Sequence, residues 1–354
     1  MNIPKFGLNR HNTSSLSSFA LDVLRAEQAG WDCAFLPDSP LRLRDNYVLL
    51  SGAAQATKSI TIGPLLTNPI TRHPSVTASS IATVAELAPN RTILGMGVGD
   101  TAVRLAGLKP AKIKELEQGV HIIKSLLAGE EVEVGAARPA KLPFAQNVPV
   151  WLAAGGPKTL EMAGSCADCV FSRVGTDIKN IEISGNRIKE GAVKSGRDPN
   201  KVKLGTVFHT VFCEDEDDAM LMGKSMAAGY YEYSPMLVDN LNISWNGPHP
   251  DELKEQGLVW PDFHHAANLI ESGKTVDFMS ENLAKAFCLM GGVNQIVTQI
   301  TEILKKCNNV GIEFEYVVLH PIPNPPIPDN GPNAYLEKIP REVISQVKEN
   351  LATL

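Results

Sequence analysis

A chain of 354 residues, 44% hydrophobic and 20% charged, has the composition of a globular protein long enough to bury one large core or two smaller ones. Its net charge of −6 comes with no basic run, which argues against nucleic acid and anionic membrane as partners, because both need clustered Lys and Arg. The N-terminal MNIPKFGLNRHN has no apolar signal core, and no stretch approaches the roughly 18 apolar residues of a membrane span, so a cytoplasmic protein with a small-molecule partner is expected.

In chain order, KFGLN (residues 5–9) reads as a strand, and residues 17–29 as an amphipathic helix that follows serines and closes at Gly30. CAFLPD (33–38) is a second apolar strand ending in a carboxylate, followed by a helix over 47–57. The third strand, ITIGPLL (60–66), runs into TNPITRHPSV, so that Pro64, Pro69 and Pro74 crowd its end. Proline donates nothing to a ladder, so pairing is expected to stop there. Pro74 then suits the first turn of a helix over 74–87. TILGMG (92–97) is the fourth strand, with its helix over 113–127. VPVWLAA (148–154), DCVFS (168–172), KLGTVFHTVF (203–212) and EYVVLH (315–320) read as four more, separated by helical patterns over 158–165, 177–195, 215–228 and 295–307.

Eight strands, each followed by a helix and with no composition break, predict an α/β fold of the (β/α)8 TIM-barrel type, one domain over 1–354, rather than a doubly wound sheet. A barrel needs about 250 residues. The surplus falls at 130–147 and 229–285, where insertions would act as lids, binding loops or interfaces.

Barrel active sites lie just beyond the C-terminal ends of the strands. The residues there are Asn9, Arg10 and His11; Asp38 and Ser39; Thr67 and Asn68; Gly97, Gly99 and Asp100; Gly155 and Gly156; Arg173; Cys213; and His320. GVGDTA (97–102) fits the dinucleotide pattern G-x-G-x-x-A, but Gly107 and Pro110 are expected to break the chain before a helix opens, so tight turning or close backbone approach is the better reading. In AAGGPKTL (153–160) a strand ends in Gly155 and Gly156 and a helix begins at Pro157. That start reads equally as an anion site assisted by Lys158 and as a tight turn. The six cysteines are too scattered for a disulfide framework, and the C-x-x-C of Cys166 and Cys169 reads as core thiols. His264 and His265 are adjacent and cannot both face one metal from a helix, and HExxH, GxSxG and Walker patterns are absent. No metal site is expected.

The sequence resembles the luciferase-like family of flavin- and deazaflavin-dependent oxidoreductases, in the branch of the methylenetetrahydromethanopterin reductases. The resemblance spans nearly the whole chain through EQAGWDCAFLPD (27–38), TNPITRHP (67–74), ILGMGVGD (93–100), PVWLAAGGPKTLEMAG (149–164), GAVKSGRDP (191–199) and FCLMGG (287–292). It implies a barrel that forms homo-oligomers, dimers or tetramers, and binds coenzyme F420 or FMN. It also implies that Asp38 and Asp100 lie by the cofactor, with Asn68, Gly97 and Gly99 beside them. Gly155, Gly156 and Pro157 would hold the phosphate, and a non-prolyl cis peptide at Leu65-Leu66 would back the ring. Those reductases carry a glutamate at the end of strand one, where this chain has Asn9. An amide cannot exchange a proton near neutral pH, so a different substrate is implied.

The first expectation is therefore an F420-dependent oxidoreductase moving a hydride between the deazaflavin and an organic carbonyl, imine or alkene. Asp38, Asp100 and His320 are the candidate catalytic groups, and Asn9, His11 and Arg173 the candidate substrate contacts. An FMN-dependent monooxygenase is the alternative, and a non-catalytic cofactor-binding relative a further one, favoured by Asn9.

Overall fold

The structure is a computed structural model that describes residues 2–322 and 331–353. Its backbone contacts group into two compact units, one formed by Lys5–Phe171 with Arg187–Gly205 and the other by Met1–Pro4, Ser172–Asn186 and Thr206–Leu354.

The first unit alternates strands and helices: β1 (Lys5–Leu8), α1 (Leu16–Ala29), β2 (Cys33–Leu36), α2 (Asn46–Ala56), β3 (Thr61–Pro64), α3 (Pro74–Leu87), β4 (Leu94–Met96), α4 (Thr101–Leu105), α5 (Ile113–Leu127), β5 (Val150–Ala154) and α6 (Pro157–Cys166). β6 (Cys169–Ser172), α7 (Ile178–Lys194) and β7 (Lys203–Phe212) begin or end in it. The pairs β1–β2, β2–β3 and β4–β5 are parallel, and the parallel bridges Ile62–Thr92 and Thr67–Met96 join β3 to β4. Because parallel strands are covered on both faces, they are nearly continuous apolar runs, and CAFL is buried throughout.

Local chemistry explains the boundaries. Ser15 accepts the Ser18 amide at 2.9 Å to open α1, and Gly30, at φ 104°, closes it with its N–H on Ala26 and Glu27. Phe35, Trp151 and Phe171 form the aromatic centre, with ring centroids 5.5 and 5.2 Å apart. At Gly95 a Cβ would stand 2.5 Å from the Pro64 carbonyl oxygen, so glycine is what lets β4 lie this close to β3.

The second unit contains α8 (Glu216–Tyr233), the short helices α9 (Met236–Asp239), α10 (Pro250–Glu255), α11 (Leu269–Lys274) and α12 (Glu281–Lys285), then β8 (Leu289–Gly291), α13 (Val293–Asn309) and β9 (Tyr316–Ile322). The chain closes with α14 (Gly331–Lys338), a π-helical turn over Ile339–Ile344 and α15 (Ser345–Ala352). The inserted helices are tied by polar contacts, with the buried Ser225 and Ser272 hydroxyls 2.6 Å apart and Lys224 2.6 Å from the more exposed Asp277.

Two expectations change. The described residues hold nine strands, because FCLMGG contains β8, which pairs with Thr210–Phe212 of β7; three residues are too short to register as a period. A helix does open directly after GVGD, but α4 is only five residues long and ends at Ala106 before Gly107, at φ 72°.

Candidate functional site

In the first unit the candidate residues converge at the ends of β2, β3 and β4. Asp38 is 3% exposed. Its amide donates to the Leu66 carbonyl at 3.2 Å, and its Oδ2 accepts the Thr67 hydroxyl at 2.7 Å. The Leu65-Leu66 peptide is cis. Thr67 is itself fixed by β4, since its N–H donates to Gly95 O and its carbonyl accepts the Gly97 N–H. Arg72 Nε lies 3.6 Å from Asp38 Oδ2, but the guanidinium is committed to Asp45, whose Oδ2 accepts from Nη2 at 2.5 Å. Asp38 Oδ1 is buried and accepts nothing among the described residues. Burial pushes the Asp38 pKa up, more than the Thr67 bond and Arg72 pull it down.

The neighbouring groups are spaced by glycine. A Cβ on Gly97 would meet the Leu66 side chain at 3.1 Å, and one on Gly99, at φ 76°, would meet Val103 and Asn68. Asn68 Oδ1 caps its own turn, accepting from the amides of Ile70 and Thr71 at 3.0 and 2.9 Å. Asp100 precedes α4 without capping it and pairs with Arg104 one turn on. At α6, Gly156 is the N-cap and offers no side-chain cap, Pro157 opens the helix, and a Cβ on Gly156 would meet nothing within 4 Å. Gly155 and Gly156 are half-buried and Lys158 is exposed. Asn9 is half-buried after β1. The His11 ring is turned inward, with Nδ1 3.3 Å from Asp22 and the ring edge-on to Phe19.

In the second unit Arg173 and His320 belong to a cluster that sequence reasoning left incomplete. Arg173 Nη2 lies 2.8 Å from His264 Nδ1 and its guanidinium 5.4 Å from the Tyr230 ring. The Tyr230 hydroxyl is 2.9 Å from His209 Nδ1, and the His209 ring stacks on His264 at 5.3 Å and meets His320 edge-on at 5.1 Å. Burial, helped by the charge of Arg173, holds His209 and His264 well below the ordinary imidazole value, and burial raises Tyr230 to about 12. His209, Tyr230 and His264 went unread as site residues. The signal for His209 is a histidine in a buried strand three residues from its end. Tyr230 and His264 lie in or beside an insertion and carry none.

A separate cavity of about 810 Å³ opens between the starts of α7 and α8 and the helices α12 and α13, lined by Asp177, Glu216, Glu281, Lys285, Gln295 and Lys306 among others. It holds no candidate residue.

The family model described as Luciferase-like monooxygenase matches residues 5–306. A 5,10-methylenetetrahydromethanopterin reductase of Methanolobus tindarius is 36% identical over 201 residues, which is 55% of this chain and 60% of that relative's length. The reductase of the same name from Methanopyrus kandleri is 29% identical over 356 residues, 92% of this chain and 93% of the relative. Among solved structures, a coenzyme F420-dependent tetrahydromethanopterin reductase from Methanopyrus kandleri matches with a TM-score of 0.76 at 24% identity, over 98% of this chain and 100% of that one. An F420-dependent secondary alcohol dehydrogenase in complex with an F420-acetone adduct matches with a TM-score of 0.67 at 17% identity, over 98% and 99%. At such identities the likeness establishes the fold, a (β/α)8 TIM barrel, and leaves the reaction to be argued from the site.

Proposed function

Because this chain belongs to the luciferase-like monooxygenase family, we propose that it is a coenzyme F420-dependent oxidoreductase, a single barrel domain over 1–354 that moves a hydride to or from a small organic substrate. The observation that carries this reading is Asp38. A buried carboxylate with one oxygen fixed by Thr67 and the other bonded to nothing among the described residues costs about 1–3 kcal/mol, a cost that a ligand hydrogen bond at Oδ1 would remove.

The residues fit a phosphate-bearing deazaflavin. The uncapped N-terminal turn of α6 at Gly155 and Gly156, opened by Pro157, with Lys158, would take the phosphate. Leu65, Leu66, Asn68, Gly97 and Gly99 would bound the ring, and Gly97 leaves the Leu66 side chain room to lie flat. When bound, the cofactor supplies the hydride chemistry. Asp38, its pKa raised by burial, would hold or pass a proton at Oδ1. Asp100 would orient the ring edge, exchanging its Arg104 partner for the ligand. In the second unit, His320 would serve as a proton-transfer group and Arg173 as a substrate contact. Asn9 would contact substrate as a neutral amide, which favours a substrate other than methylenetetrahydromethanopterin, and His11 would act by anchoring the segment after Asn9 to Asp22. A cytoplasmic homo-oligomer completes the proposal.

FMN carries a phosphate too, so titration decides between the cofactors. Purified protein is expected to quench F420 fluorescence saturably and to ignore FMN. Tight FMN binding with no response to F420 would make the chain a flavin-dependent monooxygenase instead.

A further inference from the structure

Arg173 follows the last residue of β6 and is exposed. Four other arginines of this chain are held by carboxylates or by backbone carbonyls. Arg72 and Arg104 pair with Asp45 and Asp100, whereas Arg91 and Arg197 spend their guanidinium nitrogens on the backbone carbonyls of Ala54 and Thr57 and of Gly164 and Ala167. Arg173 does neither. Among the described residues no carboxylate pairs with it, and its partners are the His264 ring nitrogen and the Tyr230 face.

Those partners orient the cation without neutralising it. A guanidinium only donates, so the 2.8 Å contact runs from Arg173 Nη2 to His264 Nδ1. The His264 proton must then sit on Nε2, where the Met226 carbonyl accepts it at 3.1 Å. His264 is thus fixed as a neutral tautomer, and stacked His209, held by Tyr230, limits its tilt. His264 and Tyr230 engage one side of the five-donor fork, no carboxylate among the described residues pairs with it, and the residue stands at a strand end. Carboxylate and phosphate groups match such a fork bidentately.

We propose that Arg173 is an oxyanion receptor, taking a carboxylate or phosphate group of a bound ligand, with His264 as the residue that positions it. The ligand of the oxidoreductase is then an anionic small molecule; only this identification rests on the reading above. The oxyanion has two candidate sources, the substrate and the phosphate of the cofactor, and the test separates them.

Full-length protein is titrated calorimetrically with inorganic phosphate and with succinate, unloaded and loaded with F420, and by fluorescence with F420 and a phosphate-free deazaflavin analogue. For a substrate oxyanion, Arg173→Gln weakens succinate or phosphate binding by about tenfold or more while F420 affinity holds. For a cofactor oxyanion, Arg173→Gln weakens F420 by about the same factor and leaves the phosphate-free analogue unchanged. In either case Arg173→Lys recovers part of the loss, His264→Leu weakens the same ligand several-fold, roughly, and His264→Gln, which keeps an acceptor, restores it. Unchanged binding of all four probes in Arg173→Gln overturns the proposal, as does an equal loss of F420 and its phosphate-free analogue. If wild-type protein binds neither F420 nor the analogue, the oxidoreductase reading fails while the anion titration still decides the role of Arg173.

Discussion

The Asp38 and Arg173 clusters invert one another. Around Asp38 a carboxylate is buried, with Oδ2 held by Thr67 and 3.6 Å from Arg72 and Oδ1 bonded to nothing among the described residues. Around Arg173 the cation is exposed and its partners are rings, so that among the described residues no carboxylate balances its charge. Each unit thus leaves a different polar need unmet: a proton or hydrogen-bond donor at Asp38, an anion at Arg173. The difference indicates that burial tunes acid–base behaviour in the first unit, and that orientation without neutralisation prepares recognition in the second.

The sharpest way to break this contrast is Asp38→Asn. It is expected to lower turnover by about 10² to 10⁴ while F420 affinity, measured by fluorescence titration, changes little. Comparable turnover in the variant would reduce Asp38 to a structural contact. Next in size is Gly95→Val. With a Cβ 2.5 Å from the Pro64 carbonyl, the backbone of β3 must shift, and denaturant unfolding is expected to show a loss of about 1–3 kcal/mol or more.

The clusters should also respond to acid in opposite directions. Asp38 has a folded pKa raised above its ordinary 3.8, so its contribution to stability is fully present below that value and is lost as pH rises through the folded pKa. His209 and His264 have folded pKa values depressed below 6.5. Their unfolded forms take up protons first, so their contribution is present above 6.5 and is lost as pH falls below it. Asp38→Asn is therefore expected to gain stability relative to wild type as pH rises above about 4, and His209→Phe to lose less than wild type as pH falls below about 6.5, both read from urea midpoints. The smallest effect is expected for Lys158→Ala, a weakening of F420 binding of about two- to fivefold at low ionic strength that salt abolishes.

The same contrast explains what could be read from the chain. The helices over 74–87 and 113–127 coincide with α3 and α5 because their ends carry Pro74 at the first turn and an unbroken apolar period. The Asp38 cluster was legible because Asp38, Thr67, Gly97 and Asp100 each stand within about four residues of a strand's C-terminal end, and strand ends are visible as apolar runs stopped by proline, glycine or a charge. The resemblance added the cis peptide at Leu65-Leu66. The second cluster draws on Arg173, His209, Tyr230, His264 and His320, more than thirty positions apart at some steps, and two of its members arrive through an insertion whose short helices have no strong period. β8 escaped for a related reason, since three residues paired to the end of a long strand leave only a glycine-flanked trace.

The most direct test of the account is a crystal structure of the protein with F420 bound. Asp38 Oδ1 is predicted within about 3.2 Å of a polar atom of the deazaflavin, with the phosphate on the first amides of α6. A ring placed away from Asp38, with Oδ1 still bonded to nothing, would contradict it.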